Sequence, residues 1–246
     1  MSPSRYMSSC GFGRRTAIAL AIVGATLGGC SSQPSVGPGA LARTHPAKLT
    51  ALCVTEGKVQ PKGGGRMEVA DPAMRAVALG TGGDTAELEF TYEGPTASEA
   101  PLGNGELRRQ IGLKLRAADS CNVVYVMWRL EPSSGLAVSV KRNPGMSENA
   151  QCHDGGYHSL KSAHAEPVPS IQLGETHSLR AELNGDTLRV FADGRLAWEG
   201  EVGEEARAFD GPIGVRTDNG RFVFRVVGEP GGQPSDCRSG ELVAAG

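Results

Sequence analysis

Between about residues 84 and 227 the chain alternates apolar and polar side chains with a period of two. Leu88, Phe90 and Tyr92 interleave with Glu87, Glu89 and Thr91, and Ile111, Leu113 and Leu115 with Gly112, Lys114 and Arg116. The spacing returns in Leu179, Ala181 and Leu183, in Leu188, Val190 and Ala192, in Leu196 and Trp198, in Ile213 and Val215, and in Phe222, Phe224 and Val226. Successive side chains of a strand point to opposite faces, so each run predicts a strand with one face in a core. Segments 84–93, 106–117, 122–130 and 135–142, with the short strands between Thr176 and Gly228, make about nine strands. Asn184-Gly185, Asp193-Gly194 and Asn219-Gly220 supply the positive φ that tight hairpin turns need. The expectation is an all-β fold of two packed antiparallel sheets. Asp71 to Gly80 reads as a helix, with a capping Asp, Pro72 at the first turn and a closing Gly, although so short an apolar run also suits a strand.

The two ends break the alternation. Residues 1–29 carry Arg5, Arg14 and Arg15, then an apolar stretch from Thr16 to Leu27, then Gly28-Gly29. This is the order of a cleaved targeting segment, and its apolar part is too short for the roughly 20 residues of a membrane-spanning helix. Leu27-Gly28-Gly29-Cys30 resembles the lipobox of bacterial lipoproteins. The resemblance implies removal of residues 1–29, acylation of Cys30 and attachment to a membrane by lipid, with the domain facing the periplasm or exterior. Ser31, where an aspartate favours inner-membrane retention, implies the outer membrane in a cell with two membranes. Residues 30–48 mix Ser, Pro and Gly and predict a flexible tether; 229–246 have a similar composition. The β-sandwich domain is expected over 49–228.

The chain carries 25 Lys and Arg against 27 Asp and Glu, and loss of the three leader arginines deepens the acidic excess, which argues against nucleic acid as a partner. Of six cysteines, Cys10 leaves with the leader and Cys30 is acylated. The remaining four suit two disulfides in an oxidising compartment; three pairings are possible, and the favoured one joins Cys121 with Cys152, closing one excursion, and Cys53 with Cys237, joining the domain's ends. Zinc is the alternative, but no CxxC pair occurs and the spacings are wide.

His177 to Leu183, Val190-Phe191-Ala192-Asp193-Gly194 and Gly211-Pro212-Ile213-Gly214-Val215-Arg216 together resemble the laminin-G-like branch of the concanavalin A-like lectin and glucanase superfamily. The resemblance implies a jelly roll with one concave sheet whose face or rim, in many relatives, binds sugars. Glucanases of that superfamily carry two glutamates flanking an aspartate on one strand. Glu87-Leu88-Glu89 imitates the first two acids, but Thr91 and Tyr92 stand where the acid/base would fall. The acids are therefore read as the solvent face of a strand, and catalysis is not expected.

Candidate binding residues come from strand parity. Asn122 to Leu130 is apolar at both parities, as in a strand covered on both faces. If Val124, Val126 and Trp128 face the core, Tyr125, Met127 and Arg129 line the opposite face, where a tyrosine can stack on a sugar ring; simple coverage by the loop 142–173 is the alternative. Lys114, Arg116, Arg129 and Lys141 fall on outward parities, a cationic face suited to uronate, sulfate or phosphate, with pairing to Glu87, Glu89 or Glu182 as the alternative. Loop 142–173 gathers His153, Asp154, Tyr157, His158 and His164, but the spacings match no metal motif. Asp193, Asp218 and Asn219 are oxygen donors of the kind that hold calcium at one rim of some laminin-G-like domains; their turns account for them without it. No cofactor is expected. The reading is a lipid-anchored, non-catalytic binder of glycan or another surface polymer. A glycoside hydrolase or lyase on the same fold is one alternative, and a structural or adhesion lipoprotein that meets a protein partner is the other.

Overall fold

The computed structural model describes residues 51–231, 237 and 240–244. The leader, Cys30 and the tether to residue 48 lie outside the described residues.

Among the described residues sixteen strands form two antiparallel sheets of eight. The first runs Glu241–Ala244 (β16), Ala51–Glu56 (β1), Ala73–Ala78 (β4), Gly214–Asp218 (β14), Arg109–Leu115 (β6), Val123–Glu131 (β7), Gly135–Lys141 (β8) and Tyr157–Ser159 (β9). The second runs Ser162–Ala165 (β10), Arg195–Glu201 (β13), Thr187–Ala192 (β12), Thr176–Asn184 (β11), Thr81–Pro95 (β5), Gly220–Pro230 (β15), Arg66–Val69 (β3) and Gln60–Gly63 (β2). Two short helices, Asn149–Cys152 (α1) and Gly203–Arg207 (α2), sit in connections. The result is a two-sheet antiparallel jelly-roll sandwich.

The inward parity is the expected one. Leu88, Phe90, Ile111, Leu113, Val124, Val126 and Trp128 are buried in one continuous interior. Phe90 meets the edges of Trp128 at 5.8 Å and Phe222 at 6.0 Å, the edge-to-face geometry that aromatic quadrupoles favour.

The structure differs from the sequence reading in seven strands. Residues 73–78 are strand β4 and no helix: Met74, Ala76 and Ala78 are buried while Arg75 turns outward, and β1 and β14 flank the strand on both sides. The tertiary ladder decides a run too short to settle itself. Besides β4 and β16, the strands beyond the expected nine are β1, β2, β3, β9 and β10; β2, β9 and β10 are exposed throughout and bury no face, so they leave no alternation to read. The last stretch holds β16, which pairs with β1, the strand to which the Cys53–Cys237 disulfide ties it.

Asp193 and Gly194 make the expected hairpin turn, with φ of 49° and 76°. Asn219 also has a positive φ of 55°, but here the chain passes between sheets, from β14 to β15. Asn219 is 1 % exposed because it works as an anchor: Oδ1 accepts from the Ala100 amide, and Nδ2 donates to the Ala100 and Arg108 carbonyls. It thereby fixes the loop 96–108 beside the site.

Candidate functional site

Register rules the outer face of the first sheet into rows. Arg75, Arg216, Gly112 and Met127 share one row; Gly214, Lys114, Tyr125 and Ser139 share the next; Asp218, Gln110 and Arg129 share a third. Two loops rise over these rows, 96–108 and the segment 142–156 that contains α1. The Cys121–Cys152 disulfide fastens α1 to the turn before β7. Between loops and sheet lies a cavity of about 290 Å³, at the small end of the range of small-molecule sites. Gln110, Tyr125, Met127, Arg129, Ser139 and Arg216 contribute from the sheet, Tyr157 from its edge strand β9, and Gly103, Asn104 and Asp154 from the covering segments. Gly103 and Asp154 bring the two loops together: a Cβ on Gly103 would overlap the Asp154 carboxylate.

The aromatic wall is a pair. Tyr125 and Tyr157 stack at 5.9 Å with planes 23° apart. Tyr125 is only 5 % exposed, because the Arg216 guanidinium also packs on it, 5.0 Å from its centroid. Burial, with Tyr157 beside it, pushes the Tyr125 phenol up to about 12. Tyr157, 39 % exposed, is the open ring of the pair, and Tyr125, the tyrosine singled out in the sequence, packs behind it.

A buried ionic cluster supports this wall. Asp218, 2 % exposed, accepts from Arg75 Nη2 at 2.7 Å, Gln110 Nε2 at 2.6 Å and Arg216 Nε at 2.9 Å. Burial alone would raise its pKa, but the Arg75 and Arg216 charges hold the carboxyl below its ordinary value. Arg216, despite burial, is kept firmly protonated by Asp218 and donates from Nη1 to the Tyr157 hydroxyl at 3.2 Å. A carboxylate buried on the outer face of the sheet thus holds, through Arg216, the hydroxyl of the exposed tyrosine.

Of the five residues expected to bind ligand, Tyr125 and Arg129 line the cavity. The other three stand elsewhere. Lys141 is 2 % exposed; its ammonium donates to the carbonyls of Ser120 and His153 and lies 5.2 Å from the Tyr157 ring. Lys114 is sealed beneath the covering segments, 5 % exposed, and burial together with Arg75 and Arg216 pushes its amine down to about 7. Arg116 follows the end of β6 with a φ of 46° and pairs with Asp84 at 2.5 Å, so the strand parity that pointed it to this face does not reach it. The acids considered as their partners lie on the second sheet, where Glu89 faces Arg225 and Glu182 faces Arg180.

Metal ligation finds no cluster: among the described residues no group of three His, Cys, Asp or Glu side chains comes together. His158 lies near Glu205 and His164 near Glu166. Asp193, Asp218 and Asn219 do not converge either, since Asp193 caps the Ser178 amide while Asp218 is bound in its ionic cluster.

Sequence reasoning missed Arg75, Gln110 and Arg216 as site residues. One signal was present: Arg216 and Asp218 are two apart on a strand, so they share its outer face.

No family model and no curated protein matches the sequence. Among solved structures, the chain is similar to the carbohydrate-binding module CBM66 from Bacillus subtilis, with a TM-score of 0.51 and 17% identity over 73% of this chain and 95% of that one. The likeness is one of fold, a two-sheet β-sandwich. Weaker likenesses reach the Crh5 transglycosylase in complex with NAG, with a TM-score of 0.41 and 16% identity over 81% of this chain and 92% of that one. The Caenorhabditis elegans galectin LEC-6 follows, at 0.36 and 14% over 65% and 94%. All three are likenesses of fold alone, and the last two are too distant to carry an argument.

Proposed function

We propose that this protein is a lipid-anchored, extracytoplasmic domain that binds a short segment of glycan in the cavity on its first sheet without cleaving it. The observation that carries the reading is the presence, in the lining of one cavity, of a partly exposed tyrosine ring together with Arg129, which makes no ion pair among the described residues, and Gln110; each of the last two also has one buried side-chain atom without a protein partner, Arg129 Nε and Gln110 Oε1. A sugar presents both complements, an apolar ring face and hydroxyls that donate and accept, and a buried polar atom left unmatched costs about 1–3 kcal/mol. The carbohydrate-binding module of similar fold is consistent with this use of the scaffold.

The acids support binding over hydrolysis. Two-carboxylate glycosidases need a pair of carboxyls flanking the scissile bond, roughly 5–10 Å apart. Among the described residues Asp154 is the one carboxylate lining the cavity. Glu87 and Glu89, the nearest echo of a glucanase motif, stand on the second sheet.

On affinity electrophoresis against a polysaccharide panel the protein is expected to show saturable retention with no release of reducing ends, and Tyr157→Ala is expected to weaken retention about tenfold. Cleavage of the retained polymer, or retention untouched by Tyr157→Ala, would overturn the reading. The anchor has its own measurement: mass spectrometry of the protein from membranes is expected to find Cys30 at the N-terminus carrying acyl chains, and a free, unprocessed Met1 sinks that part.

A further inference from the structure

The cations around the cavity are not equivalent. Arg108 is paired with Glu106. Arg75 and Arg216 share Asp218, and Arg75 also approaches Glu56 at 3.7 Å. Lys141 spends its charge on two backbone carbonyls, and Lys114 is sealed away from the cavity. Arg129 differs from all of them: among the described residues it makes no ion pair, and its buried Nε has no acceptor.

Its register partner across β6 and β7 is Gln110, which is 1 % exposed. Gln110 gives its Nε2 to Asp218 and leaves Oε1 without a donor. The two residues are thus neighbours in the lining of one cavity, each with one buried side-chain atom that has no protein partner. They do not satisfy each other. The acid nearest the opening, Asp154, has its carboxylate against Gly103.

Resting on the glycan-binding reading above, the geometry points to a uronic acid unit as the ligand, its carboxylate gripped by the guanidinium of Arg129. A guanidinium fork binds a carboxylate with two parallel hydrogen bonds, and a uronate ring carries that carboxylate beside hydroxyls that can reach an acceptor. One uncompensated arginine suits one carboxylate. A densely sulfated chain would meet the carboxylate of Asp154 at the rim and a molecule whose acidic residues outnumber its basic ones, 27 to 25. Arg129 is then the residue that sets specificity, while Tyr157 supplies contact common to any sugar.

The test is affinity electrophoresis of the full chain in gels containing polygalacturonate, dextran sulfate or uncharged dextran, with wild type, Arg129→Gln and Arg129→Lys. Wild type is expected to be retained at least tenfold more strongly by polygalacturonate than by dextran, about 1.4 kcal/mol of discrimination. Arg129→Gln is expected to erase that difference while keeping the residual sugar contact, and Arg129→Lys to retain part of it. Urea unfolding midpoints equal to wild type show that both variants are folded. Equal retention on dextran and polygalacturonate, unmoved by Arg129→Gln, overturns uronate recognition and leaves glycan binding standing. Preference for dextran sulfate that survives Arg129→Gln also overturns it, as general charge attraction. No retention on any polymer by folded wild type sinks the glycan reading, and this inference with it.

Discussion

Asp218→Ala is expected to unfold with about 3–5 kcal/mol less free energy than wild type, the cost of leaving buried charge without its partner. The side chain accepts from three donors, Arg75, Gln110 and Arg216, in a place 2 % open to water. Its removal strands two guanidinium groups that hydration cannot rescue. The pH dependence has a definite sign. Because Arg75 and Arg216 hold the folded-state carboxyl below its ordinary value, its contribution is present above about pH 4 and is lost as pH falls through the folded pKa. Urea unfolding of wild type and Asp218→Ala at pH 7 and at pH 3 measures both parts. The difference is expected to shrink at the lower pH, and a variant as stable as wild type at pH 7 contradicts the account. Arg216 also holds the Tyr157 hydroxyl, so the same substitution is expected to weaken glycan retention.

Lys114→Met is expected to move stability the other way, raising it by about 2–4 kcal/mol at pH 7. In the unfolded chain a lysine keeps its proton up to about pH 10.5, whereas burial beside Arg75 and Arg216 brings the folded-state value down to about 7. Each unit of that displacement is worth about 1.4 kcal/mol against the fold wherever the unfolded chain binds the proton and the folded chain does not. Stability of the wild type therefore rises as pH goes from about 7 toward 10.5. Between pH 7 and pH 9 the gain is expected to be about 2 kcal/mol, and Lys114→Met is expected to flatten it. Unfolding curves at the two pH values, with disulfides intact, decide the matter. A wild type equally stable at both, or a methionine variant less stable than wild type at pH 7, refutes the cost assigned to this amine.

The site was legible only as far as parity reaches. Alternation along residues 122–130 placed Tyr125, Met127 and Arg129 together on the face opposite Val124, Val126 and Trp128, and they stand there. Parity says which way a side chain leaves its strand and nothing about what rises above it. Lys114 and Lys141 leave their strands on the expected side but end beneath the covering segments, while Arg116 lies one residue past its strand and turns away. Arg75 was hidden because its short segment carried helix punctuation as well as strand alternation.

Local chemistry along the chain determined the all-β sandwich, its inward face and the positive-φ turns, and it narrowed four thiols to three pairings, of which the structure holds Cys53 with Cys237 and Cys121 with Cys152. The first three properties follow from side-chain order and from turn stereochemistry. Tertiary structure alone decided that β4 is a strand, that Asn219 carries the chain between sheets instead of closing a hairpin, and that Asp218 binds two arginines from neighbouring strands. It also decided which of several cations keeps an unmatched charge. Such outcomes depend on which strands become neighbours and how loops close over them, and a one-dimensional pattern of apolar and polar residues holds no term for either.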